Sequence, residues 1–380
     1  MTKQEAVRRK EKRNALALQT VQTALENGFS VYDIEKLADE SEELNTLKIG
    51  LIDVDGHNFP NLPLMKLSAW HKTHGDMVVW YEPLLHGFPN EPLDRVYMSK
   101  VFSEAYTPDY PYYVNAKEVI KGGSGYCISI IDGKEVFDKE KDIELPQEIE
   151  SIYPDYSIYY DKIPDVRNTA YGFLTRGCPY GYDLNNPGKK NVHGYCHVTM
   201  KEGACSHKVA DLKQFWKGQK NIILLDPNIT VCKDWKPLFQ QLIESKAWVD
   251  FSQGLDIRTM TEEKAEMLKQ MKIKQVHFAW DRYEDKEIVL PKFEMFKRIT
   301  QWDKRKLSVY VLVNFDTTHE QDLERIYTLR DLGYWPYVMI YNKESLPKKH
   351  ITRQLQRWVN MRAIFEQIRN FEDYNQGKRK

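Results

Sequence analysis

From residue 47 onward, short apolar runs alternate with longer stretches in which apolar positions recur every three or four residues, the two periods of strand and helix. In the first part of the chain this predicts strands over 48–53, 77–81 and 95–102. A helix over 62–74 ends at Gly75, and a fourth strand from 118 runs into Gly122-Gly123-Ser124-Gly125. Beyond residue 170 the alternation resumes. It predicts strands over 171–174, 221–225, 249–251, 276–280, 309–313 and 336–340, with helices over 209–216, 235–245, 261–270, 290–300 and 320–332 between them. A last helix is expected near 348–371. Residues 6–25 and 30–37 read as two helices broken at Asn27-Gly28.

Strand–helix–strand spacing of this kind argues for parallel, doubly wound sheets. The expected organisation is a helical extension over 1–45, a first α/β domain over 46–131, and a linker and cover segment over 132–165. A second α/β domain spans 166–345, and a C-terminal helix with a basic tail spans 346–380. Its repeated strand–helix units close into a barrel or an open sheet, and six strands fall short of the full eight-unit barrel.

Composition changes this picture little. The 380 residues carry a formal net charge of zero, with 42% apolar and 29% charged residues. That balance supplies no global field toward nucleic acid or membrane. No apolar run is long enough to span a bilayer, and no charged start is followed by an apolar signal core. The expected setting is the cytoplasm, with neither membrane nor nucleic acid as partner. Five cysteines, an odd and low number, suit free thiols better than a disulfide framework.

The chemistry concentrates after the strand over 171–174. There the chain reads Arg176-Gly177-Cys178-Pro179, and further on Tyr195-Cys196-His197-Val198. A cysteine on a Gly/Pro turn past a strand can present its thiolate to a metal. The stretch resembles the signature of radical S-adenosylmethionine (SAM) enzymes, in which three cysteines hold a 4Fe–4S cluster. Cys178 fits the first cysteine and Cys196 the third. Tyr182 stands where the second belongs, and residues 184–194 form an insertion. Three readings stand. A cluster is held by Cys178 and Cys196 with His193 or Cys205 as third ligand, since histidine replaces cysteine in some clusters. Zinc is held by Cys178, His193, Cys196 and Cys205. Or the insertion has destroyed the site.

Polar groups also follow the other strands: Asp226-Pro227-Asn228, then Gln253-Gly254-Leu255-Asp256-Ile257-Arg258. Ligand sites of parallel barrels gather at that end. By the resemblance, Asp226, Asn228, Gln253, Gly254, Asp256 and Arg258 would seat SAM. A helix N-cap explains any one of them singly. After the first strand comes Asp55-Gly56-His57, with Ser99 after the third and Gly122-Gly123 after the fourth. These resemble the cobalamin-binding domains found on some radical SAM proteins, with Pro60 in place of a glycine. There His57 would ligate cobalt, and Ser99, Gly122 and Gly123 would line the nucleotide tail.

The resemblance therefore implies an α/β fold made of a Rossmann-like N-terminal domain and a partial (β/α)6 barrel. It implies an enzyme that cleaves SAM reductively to a 5′-deoxyadenosyl radical, with a reductant such as flavodoxin or ferredoxin. Cobalamin, if bound, would point to methyl transfer. The competing reading is a non-catalytic relative that serves as a binding or scaffold protein.

Overall fold

Lys48–Asp53 forms β1, and Ile49, Leu51 and Ile52 are buried within it. A strand covered on both faces reads as an unbroken apolar run, which belongs in a parallel sheet. The structure is a computed structural model that describes residues 46–56, 58–131, 134–181 and 196–374. The expected helices over 1–45 lie outside those residues, as do His57, Tyr182 and His193. The chain divides into two compact units between Arg167 and Asn168.

In the first unit β1 pairs in parallel with β2 (Met77–Trp80) and β3 (Arg95–Ser99), and β3 with β4 (Val119–Gly122), in the order β2-β1-β3-β4. Helix α1 (Leu62–Thr73) crosses from β1 to β2. Asn61 caps it by accepting from the Leu64 N–H at 3.2 Å, and Leu64 and Leu67 pack on Ile49 and Leu51. The sheet's second cluster is different. Tyr110, Val114 and Ala116, on an irregular stretch between β3 and β4, pack against Val96 and Met98. The parallel sheet expected from the pattern is there. Its β3–β4 connection carries no helix, because residues 104–116 have the Pro and Tyr content of a loop without a helical period.

Residues 132–165, read as linker and cover, contain one arm of an antiparallel hairpin, β5 (Ile128–Ile131) with β6 (Lys134–Phe137). Leu145, Ile149 and Ile158 pack into the cluster beneath α1, and the Tyr159 hydroxyl donates to Asp53 at 2.6 Å.

In the second unit β7 (Thr169–Gly172) leads to a two-residue antiparallel ladder of β8 (Thr175–Arg176) and β9 (His207–Lys208), flanking the short helix α2 (Val198–Glu202). Then come β10 (Asn221–Leu224), α3 (Trp235–Ser245), β11 (Trp248–Phe251), α4 (Glu262–Gln270) and β12 (Lys272–Ile273). They are followed by β13 (Val276–Ala279), α5 (Lys286–Thr300), β14 (Leu307–Val313), α6 (His319–Asp331) and β15 (Trp335–Ile340). Two parallel sheets result, β12-β11-β10-β7 and β13-β14-β15. The Leu255 N–H, just past β11, donates to the His277 carbonyl of β13 at 2.8 Å and links them.

The helices bury one face of the strands. Phe239 of α3 meets Phe251, and Phe293 and Phe296 of α5 meet Phe278. Arg325 of α6 is fully buried. It donates to the carbonyls of Trp280 and Asp281 (both 2.7 Å) and of Leu312 (2.8 Å), and to Asp322 at 2.6 Å, tying the ends of β13 and β14 together.

Two expected helices come out otherwise. Over 209–216 there is a single 3₁₀ turn, Leu212–Gln214, since so short a segment ending at Gly218 gains few helical bonds for its nucleation cost. The C-terminal helix splits at Met361 into α7 (Ile351–Asn360) and α8 (Arg362–Gln367). Asn360 spends its side-chain amide on both backbone groups of Val338, pairing the edge of β15 instead of extending the helix.

Candidate functional site

The Cys178 loop is held by its own neighbours. Gly177 has φ +86°, and a Cβ there would lie 2.3 Å from the Cys205 carbonyl, so only glycine fits this turn. The Cys178 N–H donates to the Gly203 carbonyl at 3.1 Å, and its carbonyl accepts from Thr199 Oγ1 at 2.7 Å. Arg176 pairs with Glu202 at 3.0 Å, and the same carboxylate accepts from the Gly177 N–H at 3.2 Å. Three residues on or beside α2, Thr199, Glu202 and Gly203, thus fix the backbone that carries the thiol. Cys178 is buried, and burial pushes its thiol pKa up, against a smaller opposing pull from the Tyr180 backbone and Asn228.

Cys196 lies close by. A Cβ placed on Gly181 would sit 2.9 Å from the Cys196 carbonyl and 2.5 Å from Thr199 Oγ1. The chain on one side of residues 182–195 therefore touches the chain on the other. Burial raises the Cys196 thiol, and Cys178 adds to the shift. Cys205 is exposed, with its Sγ 3.8 Å from the Ser206 carbonyl. Among the described residues no group of three or more His, Cys, Asp and Glu side chains stands together as a metal site; His193 lies outside them.

Three of the strand-end residues, Asn228, Asp256 and Arg258, form one network beside Cys178. Asn228 points its amide at Cys178 Sγ (3.7 Å) and at Asp256 Oδ2 (3.2 Å), and accepts from Thr230 at 2.8 Å. Asp256 takes a two-pronged contact from Arg258, Nε and Nη2 both at 2.9 Å, and caps the Ile257–Thr259 turn. The Arg258 guanidinium lies 3.9 Å from the Tyr180 ring centroid and 3.6 Å from Asp285. Asp226 is buried and faces the other way. It accepts from the Leu174 N–H (3.1 Å), the Thr175 N–H (2.5 Å) and Thr175 Oγ1 (2.6 Å). Burial pushes its carboxyl up to about 6, despite those hydrogen bonds. Asp226 thus anchors the start of the cysteine loop, and Arg258 is occupied on both its edge and its face. Gln253 is exposed, its amide 3.5 Å from Ser252 Oγ. Gly254 has φ +81° beneath the His277 carbonyl.

In the first unit, the order β2-β1-β3-β4 reverses direction between β1 and β3, the place where open α/β sheets take ligands. Asp55 there accepts from the Val101 N–H (2.5 Å) and the Phe102 N–H (3.3 Å), so its carboxylate ties the β1 and β3 loops together. Buried Ser99 accepts from the Asn61 amide at 2.8 Å. A Cβ on Gly122 would meet open space, whereas on Gly123, with φ +94°, it would lie 2.4 Å from the Lys100 carbonyl.

Sequence reasoning missed Thr175, Tyr180, Thr199, Glu202 and Asp285. Glu202 and Thr199 sit beyond the insertion on a helix too short to leave a periodic signal. Tyr180 lay inside the Cys-Pro-Tyr stretch, and only the position of Arg258 gives its ring a role. No family model matches the chain, and no curated protein matches it. Among the described residues no helix is long and apolar enough to cross a membrane.

Proposed function

We propose that the chain is a radical SAM enzyme, with Cys178 and Cys196 in the ligand set of a 4Fe–4S cluster and SAM seated along the adjoining strand ends. The observation that carries this reading is the close approach of Gly181 to the Cys196 carbonyl, which brings the chain on the two sides of the insertion together. The chain order of the strands β7, β10, β11, β13, β14 and β15 supports a partial (β/α)6 barrel around them. Two soft thiol donors on a loop pinned by Thr199 and Glu202 suit iron. The third donor would be His193 or Cys205.

When bound, such a cluster supplies the electron, drawn from a reductant such as flavodoxin or ferredoxin, for reductive cleavage of SAM to a 5′-deoxyadenosyl radical. Asn228 would orient Cys178 through its amide, and Asp256 would keep Arg258 at the rim. Asp226 would hold the loop root still. One observation favours a non-catalytic relative instead: Arg258 and Asp226 spend their charges inside the protein.

Anaerobic reconstitution with iron and sulfide tests the reading. The parent should retain iron and show cluster absorbance, and Cys178→Ala or Cys196→Ala should lose both. Cys127→Ala, at a buried first-unit position, should keep them. The response of His193→Ala against Cys205→Ala names the third ligand. A parent that retains no iron, or variants that retain it equally, would hand the case to the non-catalytic reading.

A further inference from the structure

The strands of the second unit bury one face under helices and leave the other partly open. Along the open face stand Asp250 of β11, His277 of β13, Tyr310 of β14 and Tyr337 of β15, alternating with the buried Val249, Phe278, Val309 and Val338. Tyr310 and Tyr337 are register partners, with their rings edge to face at 5.7 Å. The His277 ring lies parallel to Tyr310, with the two centroids 5.2 Å apart. Tyr337 and Met339 are 43% and 47% exposed, so the row opens at that end.

This row contains one buried polar atom without a partner, beside a solvent-facing carboxylate. His277 Nδ1 is buried without a hydrogen-bond partner, and such atoms are rare enough in folded proteins to need a cause. Burial raises the Asp250 carboxyl, with His277 and Lys274 pulling the other way, and no hydrogen bond or ion pair joins Asp250 to either among the described residues. Lys274 holds its ammonium 5.9 Å from the Trp248 ring centroid instead. Burial lowers the His277 pKa, against a pull from Asp250, so the ring adds no standing positive charge at neutral pH. The face therefore offers one unpaired carboxylate, a neutral imidazole and two tyrosine rings. That set complements a positive, planar, N–H-bearing group: the carboxylate matches a two-pronged donor and the rings attract a cation.

We infer that this open face binds a planar organic cation of the guanidinium or amidinium type, its N–H groups on Asp250 and its plane against Tyr310 and Tyr337. The inference goes beyond the cluster reading and does not rest on it, since none of these side chains belongs to the Cys178 network. Two sources share the chemistry, a free small molecule and an arginine side chain of a peptide.

The test is calorimetric titration of the iron-free full chain, without SAM, using benzamidine, methylguanidine and the peptide Gly-Arg-Gly, with benzoate as the anionic control. Benzamidine should bind and benzoate should not. Asp250→Asn should weaken binding by about ten- to a hundredfold. Tyr337→Leu, at an exposed position, should weaken it less, and Tyr337→Phe should retain it. In labelled protein the His277 ring nitrogen signals should move on benzamidine addition. Tighter binding of Gly-Arg-Gly than of methylguanidine assigns a peptide source, and the reverse a small molecule. Equal binding of benzoate and benzamidine, or binding unchanged in Asp250→Asn, overturns the inference. Cluster reconstitution is read separately, so either reading can fail alone.

Discussion

The strand ends of the first unit and those of the second use similar side chains to different ends. Past β1 and β3, Asp55, Ser99 and Asn61 hydrogen-bond across loops, and their polarity is consumed in holding those loops together. Past β10 and β11, Asn228, Asp256 and Arg258 also bind one another, but that chain of contacts ends on a thiol, while Asp226 is spent on Thr175. A polar residue at a strand terminus is thus weak evidence of a ligand site until its partners are known. What separates the second set is Asn228, which bridges the carboxylate network and Cys178.

Two arginines in the second unit sharpen the contrast, and Arg325 gives the largest expected effect. It is fully buried with only carbonyl, hydroxyl and carboxylate partners. Arg325→Met would strand Asp322 and several carbonyls at the ends of β13 and β14. We expect a stability loss of about 3–5 kcal/mol in urea unfolding. A loss below about 1 kcal/mol would mean that Arg325 does not hold those ends.

Asp226 should come next, through pH. Burial pushes its carboxyl up to about 6, above the roughly 4 of an unfolded aspartate, so the folded chain holds this proton more tightly. The contribution is full below about pH 4 and is lost as pH rises through about 6. Its size is about 3 kcal/mol at most. Unfolding measured across that window in the parent and in Asp226→Asn should differ in slope, flatter in the variant. Parallel curves would show that the carboxyl titrates normally.

Arg258 tests the functional side. Arg258→Met should weaken SAM binding by about ten- to a hundredfold, whether it touches the ligand or only keeps Asp256 and Tyr180 in place. It should cost less stability than Arg325→Met, because part of its side chain reaches solvent. Calorimetry with SAM and urea melts on one preparation read both quantities. Equal SAM affinity would remove Arg258 from the site.

The smallest effect is expected in the first unit. Asp55→Ala removes two acceptors from exposed backbone donors and should cost about 1 kcal/mol. Retention of hydroxocobalamin by the parent, lost in His57→Ala, would make this edge a ligand site and erase the contrast drawn between the two units.

The α/β class and most of the elements are legible in the residue pattern alone. Apolar runs such as Ile222–Leu224 and Val309–Val313 suit parallel strands, and the helical period marks helices over 261–270 and 320–332, which the folded chain caps with Thr261 and Thr318. The pattern also marks Cys178, because Gly and Pro around a lone cysteine are a local signal. Contacts between distant stretches set what no local pattern carries. That Asp226 turns toward Thr175 depends on which loop lies beside β10. That Arg258 is shared among Asp256, Asp285 and Tyr180 depends on three separate stretches meeting. The row of Asp250, His277, Tyr310 and Tyr337 exists only because strand register places residues far apart in sequence on one face, and register is set by pairing between strands.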